Sequence, residues 1–160
     1  MELLERAISL REEKKFEEAR DILLSLHNQY PEDPNVSYQC AWVHDNMGLE
    51  SEAIPYYIHA IEHGLNAAER RGALLGLGST YRTLGLYTES KTILEQGLLE
   101  YPDAQEFAIF YAMTLYNLGE SKKAMEILLT KLIDLTANPD IKRYEQAIRF
   151  YADKLDQIWK

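Results

Sequence analysis

A four-residue pattern ending in a small side chain recurs along the chain: Phe16-Glu17-Glu18-Ala19, Glu50-Ser51-Glu52-Ala53, Tyr87-Thr88-Glu89-Ser90 and Ser121-Lys122-Lys123-Ala124. The closing residues are 34, 37 and 34 positions apart. A period of this length corresponds to one supersecondary unit per copy. No unit can bury its own apolar face, so neighbours must stack to make a core. The small closing residue lets two helices approach closely. Gly48, Gly85 and Gly119 each stand two residues before a segment, where glycine can end one helix and turn into the next. Lys14 holds that place in the first copy. Pro31 and Pro102 follow Tyr30 and Tyr101, as expected where a helix must stop.

The third copy carries Leu77-Gly78-Ser79-Thr80-Tyr81, then Gly85, Tyr87 and Pro102, the leucine-glycine, tyrosine, glycine, aromatic and proline order of the tetratricopeptide repeat. The chain resembles that family, in its small bacterial type, over about 138 of its 160 residues. The other copies depart from the pattern. The first lacks the glycines, the second has Leu65 where proline is expected, and the fourth has Ser121 in place of the aromatic. The resemblance implies an all-α fold: an α-solenoid of four antiparallel helix pairs wound as a right-handed superhelix. It also implies one domain over 1–160, with repeats at 1–33, 34–67, 71–104 and 105–138 and a three-residue insertion at 68–70.

Residues 139–160 remain. Ile141, Tyr144, Ile148, Tyr151, Leu155 and Ile158 alternate at spacings of three and four, which predicts one helix with a single apolar face. Asn138 or Asp140 is placed to cap it, with Pro139 in its first turn. A stack of helix pairs exposes an apolar flank at its last repeat, so this segment reads as a capping helix and the expected total is nine helices.

Charge narrows the partners. Seventeen basic against 26 acidic side chains give a net charge of -9, a field that repels phosphate backbones and anionic membranes. With 27% charged residues and no long apolar run, a membrane span is not expected. Glu2, Glu5 and Arg6 interrupt the first ten residues where a signal peptide needs an apolar stretch. Cys40 is the one cysteine, so no internal disulfide can form. These features point to the cytoplasm, with neither nucleic acid nor membrane as partner.

The resemblance implies that the first helix of each pair lines an inner wall. Carried over copy by copy, it nominates Leu4, Ile8 and Arg11; Tyr38, Trp42, Asp45 and Asn46; Leu75, Gly76, Ser79 and Arg82; and Ile109, Phe110, Met113 and Tyr116. Such a wall suits an apolar peptide face or an amphipathic helix, with Tyr38, Trp42, Phe110 and Tyr116 as anchors. Gly72 and Gly76 are expected to leave its middle shallow enough for a ligand backbone. Family members that hold the acidic tails of heat-shock chaperones use basic and amide side chains here. At those places stand Leu4, Ile8, Gln39, Gly72 and Gly76, which leave a buried carboxylate without a cation. The alternative is a structural homodimer, with the terminal helix and Trp159 as seam.

No enzymatic activity and no cofactor are expected, although three motifs bear a partial likeness to chemical sites. His59-Ala60-Ile61-Glu62-His63 matches the H-x-x-E-H string of zinc hydrolases and places two imidazoles four residues apart on one helix. A third ligand is missing from the string, and Ala60 and Ile61 belong to the packing. Cys40 and His44, also four apart, are consistent with a thiolate pair but fall where an inter-helix packing residue belongs. The glycine-rich run from Gly72 to Thr80 lacks the lysine of a phosphate loop and follows no predicted strand.

Overall fold

The computed structural model describes residues 2–159, and among these it contains ten helices and no strand. Eight of them form four pairs, one per copy of the repeat. They are α1 (Glu2–Glu12) with α2 (Phe16–Gln29), α3 (Pro34–Asn46) with α4 (Glu50–Glu62), α5 (Ala67–Thr83) with α6 (Tyr87–Glu100), and α7 (Gln105–Asn117) with α8 (Ser121–Leu135). Because α5 begins at Ala67, the expected insertion at 68–70 is part of the first turn of that helix rather than a break between copies. Two short helices follow, α9 (Pro139–Lys142) and α10 (Glu145–Tyr151). The chain divides into two compact units, one up to Ile93 and one from Leu94 onward.

The turn inside each pair is the same device four times. After α1, α3, α5 and α7 the chain closes a six-residue loop through Lys15 N–H to the Leu10 carbonyl, Leu49 to His44, Leu86 to Tyr81 and Glu120 to Leu115, all at 2.9 Å. A second bond, closing a smaller loop inside each, runs from the N–H of Lys14, Gly48, Gly85 or Gly119 at 3.0 Å. This is the Schellman arrangement, which requires a left-handed residue just past the helix. Gly48, Gly85 and Gly119 take φ of 71°, 77° and 82°. Lys14 takes the same conformation at φ 63°, so the degenerate first copy keeps the turn at a conformational cost.

Beyond the turn, the small residues bring the second helix against the first. Ala19, Ala53 and Ser90 are fully buried and Ala124 nearly so. Ser90 also donates its hydroxyl proton to the Gly78 carbonyl at 2.7 Å. Two of the first helices start on a side-chain cap: at α3 Asp33 accepts from the N–H groups of Asn35 and Val36, and at α5 Asn66 accepts from that of Glu69.

In the first unit, one apolar cluster joins Ala7, Ala19, Leu23 and Leu26 to Val36, Cys40 and Val43. A second joins Tyr38, Ala41, Ala53 and Tyr57 to Leu65, Ala73 and Leu77. Each cluster takes residues from two successive repeats, as stacking requires. In the second unit, α7 packs on α8 through Ala112, Leu115 and Ala124. The fully buried ring of Phe107 lies against Gly97, where a Cβ would stand 2.1 Å from Cε1.

The continuous capping helix expected over 139–160 is not formed. Asn138 caps α9, accepting from the Asp140 and Ile141 N–H groups. After one turn the chain leaves helical geometry at Tyr144, with φ -102° and ψ 14°. α10 ends at Tyr151 and the chain then folds back. The Trp159 ring lies 6.0 Å from that of Phe150 and 5.3 Å from that of Tyr151, whereas nine residues of straight helix would separate them by roughly 13 Å. Apolar spacing alone did not reveal this, because the aromatic side chains satisfy one another locally. α10 still packs on α8, where Arg149 pairs with Asp134 at 2.7 Å and with Glu145 at 2.9 Å. Lys122 also pairs with Asp156.

Replacing Lys14 with glycine should relieve the left-handed strain and raise stability by about 1 kcal/mol. The check is the urea midpoint; an unchanged or lower midpoint would show that Lys14 is not strained.

Candidate functional site

In the first unit the face nominated from the sequence is organised around Trp42. Its indole is 37% exposed, yet it is held on two sides. The Arg11 guanidinium lies 3.7 Å from the ring centroid, a cation–π distance, and the Tyr38 ring lies 5.5 Å away. Arg11 arrives from the last turn of α1 and is only 8% exposed. Burial holds its pKa below the ordinary arginine value. Among the described residues its Nε has no hydrogen-bond partner. Successive first helices are thus joined at the very position where an aromatic reaches solvent.

Below Trp42 lies a polar core. The Tyr57 hydroxyl donates to Asp45 Oδ2 at 2.7 Å. The Thr80 hydroxyl stands 2.9 Å from the same oxygen and 2.8 Å from the Gly76 carbonyl, and its single proton serves one acceptor at a time. Burial raises the Asp45 carboxyl above its usual range, opposed by the hydrogen bonds from Tyr57 and Thr80. Asp45 therefore ties α3, α4 and α5 together, and its half-buried carboxylate is engaged within the protein. Tyr38, at 6% exposure, supports Trp42 from the core instead of presenting a face of its own.

The glycines are corrected in the same way. Gly72 and Gly76 do not leave a shallow place for a ligand backbone. A Cβ on Gly72 would meet the Tyr38 hydroxyl at 2.2 Å, and one on Gly76 the Tyr57 hydroxyl at 2.5 Å. The space belongs to tyrosines of the preceding repeat. Of the other nominated residues in this unit, Asn46 is exposed and Leu4, Ile8, Leu75, Ser79 and Arg82 are half-buried. In the second unit Ile109, Phe110 and Met113 are half-buried and Tyr116 is 67% exposed. Ile109 borders a groove of about 410 Å³ with Leu128, Lys131, Leu132, Leu135 and Thr136.

Cys40 and His44 do not form a thiolate pair. His44 Nδ1 donates to the Cys40 carbonyl at 2.7 Å, and burial pushes the Cys40 thiol up to about 12. The histidines of the H-x-x-E-H string do converge, but with a different acid. Nε2 of His63 and His59 lie 3.3 Å and 4.0 Å from Oε2 of Glu32, whereas Glu62 is exposed and outside the group. Glu32 comes from the turn between α2 and α3, 27 positions before His59, and no local spacing could have announced it. His27 stands edge-on to His59 with ring centroids 6.2 Å apart. Burial first, and then His59, hold its imidazole below the usual range.

A family model described as Tetratrico peptide repeat matches residues 34–155, and a second, Tetratricopeptide repeat, matches residues 3–33. The chain belongs to the tetratricopeptide repeat family. Such repeats are protein–protein interaction modules, typically without catalysis. Among solved structures, the crystal structure of APC/C hetero-tetramer Cut9-Hcn1 matches with a TM-score of 0.75 at 18% identity, over 94% of this chain. This chain spans 29% of that one, and at that identity the likeness shows the fold alone. No curated protein matches the chain. Among the described residues, no helix is long and apolar enough to cross a membrane.

Two outcomes follow. Gly76→Ala should cost about 1–3 kcal/mol by displacing Tyr57, read as a lower urea midpoint; an unaltered midpoint would mean the ring moves freely. For His27, the unfolded chain takes up a proton below about pH 6.5 before the folded chain does, so the stability present above that value is lost as pH falls. Going from about pH 7.5 to about pH 5.5 in metal-free buffer should lower the midpoint more in the native protein than in His27→Gln. Equal decreases would show that His27 does not contribute.

Proposed function

We propose that this chain is a non-enzymatic cytoplasmic module that binds a peptide segment or helix of a protein partner on the first-helix face of its repeats, with Trp42 as the anchor in the first unit. The observation that carries the reading is the state of Trp42, a large aromatic open to solvent on one side while Arg11 and Tyr38 fix its other contacts. An anchor already held in place loses little side-chain freedom on binding, and tryptophan and arginine are enriched among residues that dominate interface energetics. Leu4, Ile8, Asn46, Leu75, Ser79 and Arg82 form its surround, with Tyr38 and Asp45 as support. In the second unit Ile109, Phe110, Met113 and Tyr116 supply a separate apolar face.

A second reading, self-association, is favoured by a different observation. Phe150, Tyr151, Leu155, Ile158 and Trp159 are each about half exposed or more, an apolar concentration that suits an isologous contact. Light scattering at high concentration distinguishes it, since a persistent monomer excludes a dimer through this segment.

Once a partner has been identified by affinity capture, Trp42→Ala should weaken its Kd about 30-fold, corresponding to about 2 kcal/mol, while helical circular dichroism stays unchanged. Full affinity in that variant would remove Trp42 from the site, and the same measurement on Phe110→Ala tests the second unit.

A further inference from the structure

We infer that Glu32, His59 and His63 form a binding site for a divalent transition-metal ion, Zn²⁺ being the ion that best suits the donors. Two imidazoles and one carboxylate are the donor set of a three-ligand zinc site with one open position. Their ligand atoms all lie within 4.8 Å of one another. Ligands about 2.0 Å from a tetrahedral ion stand about 3.3 Å apart. The 3.3 Å between His63 Nε2 and Glu32 Oε2 meets this directly, and the 4.0 Å from His59 Nε2 needs only a small side-chain adjustment.

The orientation of both rings is set from behind. His63 Nδ1 lies 2.8 Å from the His59 carbonyl. A carbonyl only accepts, so the proton is on Nδ1, and the Nε2 lone pair of the neutral ring is left to ligate. His59 Nδ1 lies 2.9 Å from the Ser37 hydroxyl, which can rotate to accept from it in the same way. Each ligating ring thus has the outer hydrogen bond that metal-binding histidines use to fix tautomer and direction. His59 and His63 also occupy the last turn and C-cap of α4, where the helix dipole favours a cation.

Glu32 belongs to the turn that leads from the first repeat into the second, and both histidines close the second repeat. An ion held by all three links these segments. The Glu32 side chain is 79% exposed, and the role assigned to the ion is an inter-repeat clip.

Titration calorimetry of tag-free full-length protein with Zn²⁺ alone tests this. One equivalent should bind with micromolar or tighter affinity, and the thermal midpoint should rise by several degrees. Glu32→Ala and His63→Ala should each weaken binding at least tenfold, with far-ultraviolet circular dichroism confirming that both variants fold. Absence of saturable binding at micromolar Zn²⁺ would overturn the site. Full affinity in Glu32→Ala would overturn it as a three-ligand site, since the histidine pair would then suffice. Trp42→Ala should leave Zn²⁺ binding unaltered, which keeps this result separate from that of the peptide-binding face.

Discussion

Two helices joined by a very short turn can bury their facing stripes only if the turn reverses the chain sharply and the helices can then come close. In this protein the left-handed residue at positions 14, 48, 85 and 119 supplies the reversal, and Ala19, Ala53, Ser90 and Ala124 permit the approach. Every other contact inside a pair depends on those two provisions. Lys14 shows how strong the demand is: a residue with a Cβ is held where glycine is favoured, because the hydrogen bonds closing the turn and the packing behind it outweigh a local cost of about 1–2 kcal/mol.

Packing between pairs does a second job. The apolar clusters of the first unit each take side chains from two successive repeats, and the polar residues between them are tied in rather than left open. Asp45 receives the Tyr57 hydroxyl, and the tyrosine rings fill the space over Gly72 and Gly76. A face that would be a smooth wall if each helix were considered alone becomes an arrangement in which a few side chains reach solvent and their neighbours hold them. Trp42 is the clearest case. Its exposure comes from the helix surface, and its rigidity from an arginine of the preceding repeat.

The histidine cluster has the same origin. His59 and His63 are neighbours by helix geometry, but the third member, Glu32, is brought to them by the turn between repeats. The H-x-x-E-H string contains the two imidazoles, but the carboxylate that converges with them is Glu32, and Glu62, adjacent in sequence, is outside the group. A linear motif records only what one helix places together.

The period of 34, the glycines before the second helices and the small residues within them determined the helix pairs, their order and the family. These are local or periodic constraints, and a sequence expresses such constraints directly. Only the tertiary structure decided that the segment after Asn138 breaks into short helices with Trp159 folded back on Phe150 and Tyr151. It likewise decided that Tyr38 is buried while Trp42 is open, and that Glu32 joins the histidines. Each of these depends on side chains meeting across separate elements, and residue spacing along one element carries no information about what another element brings to it.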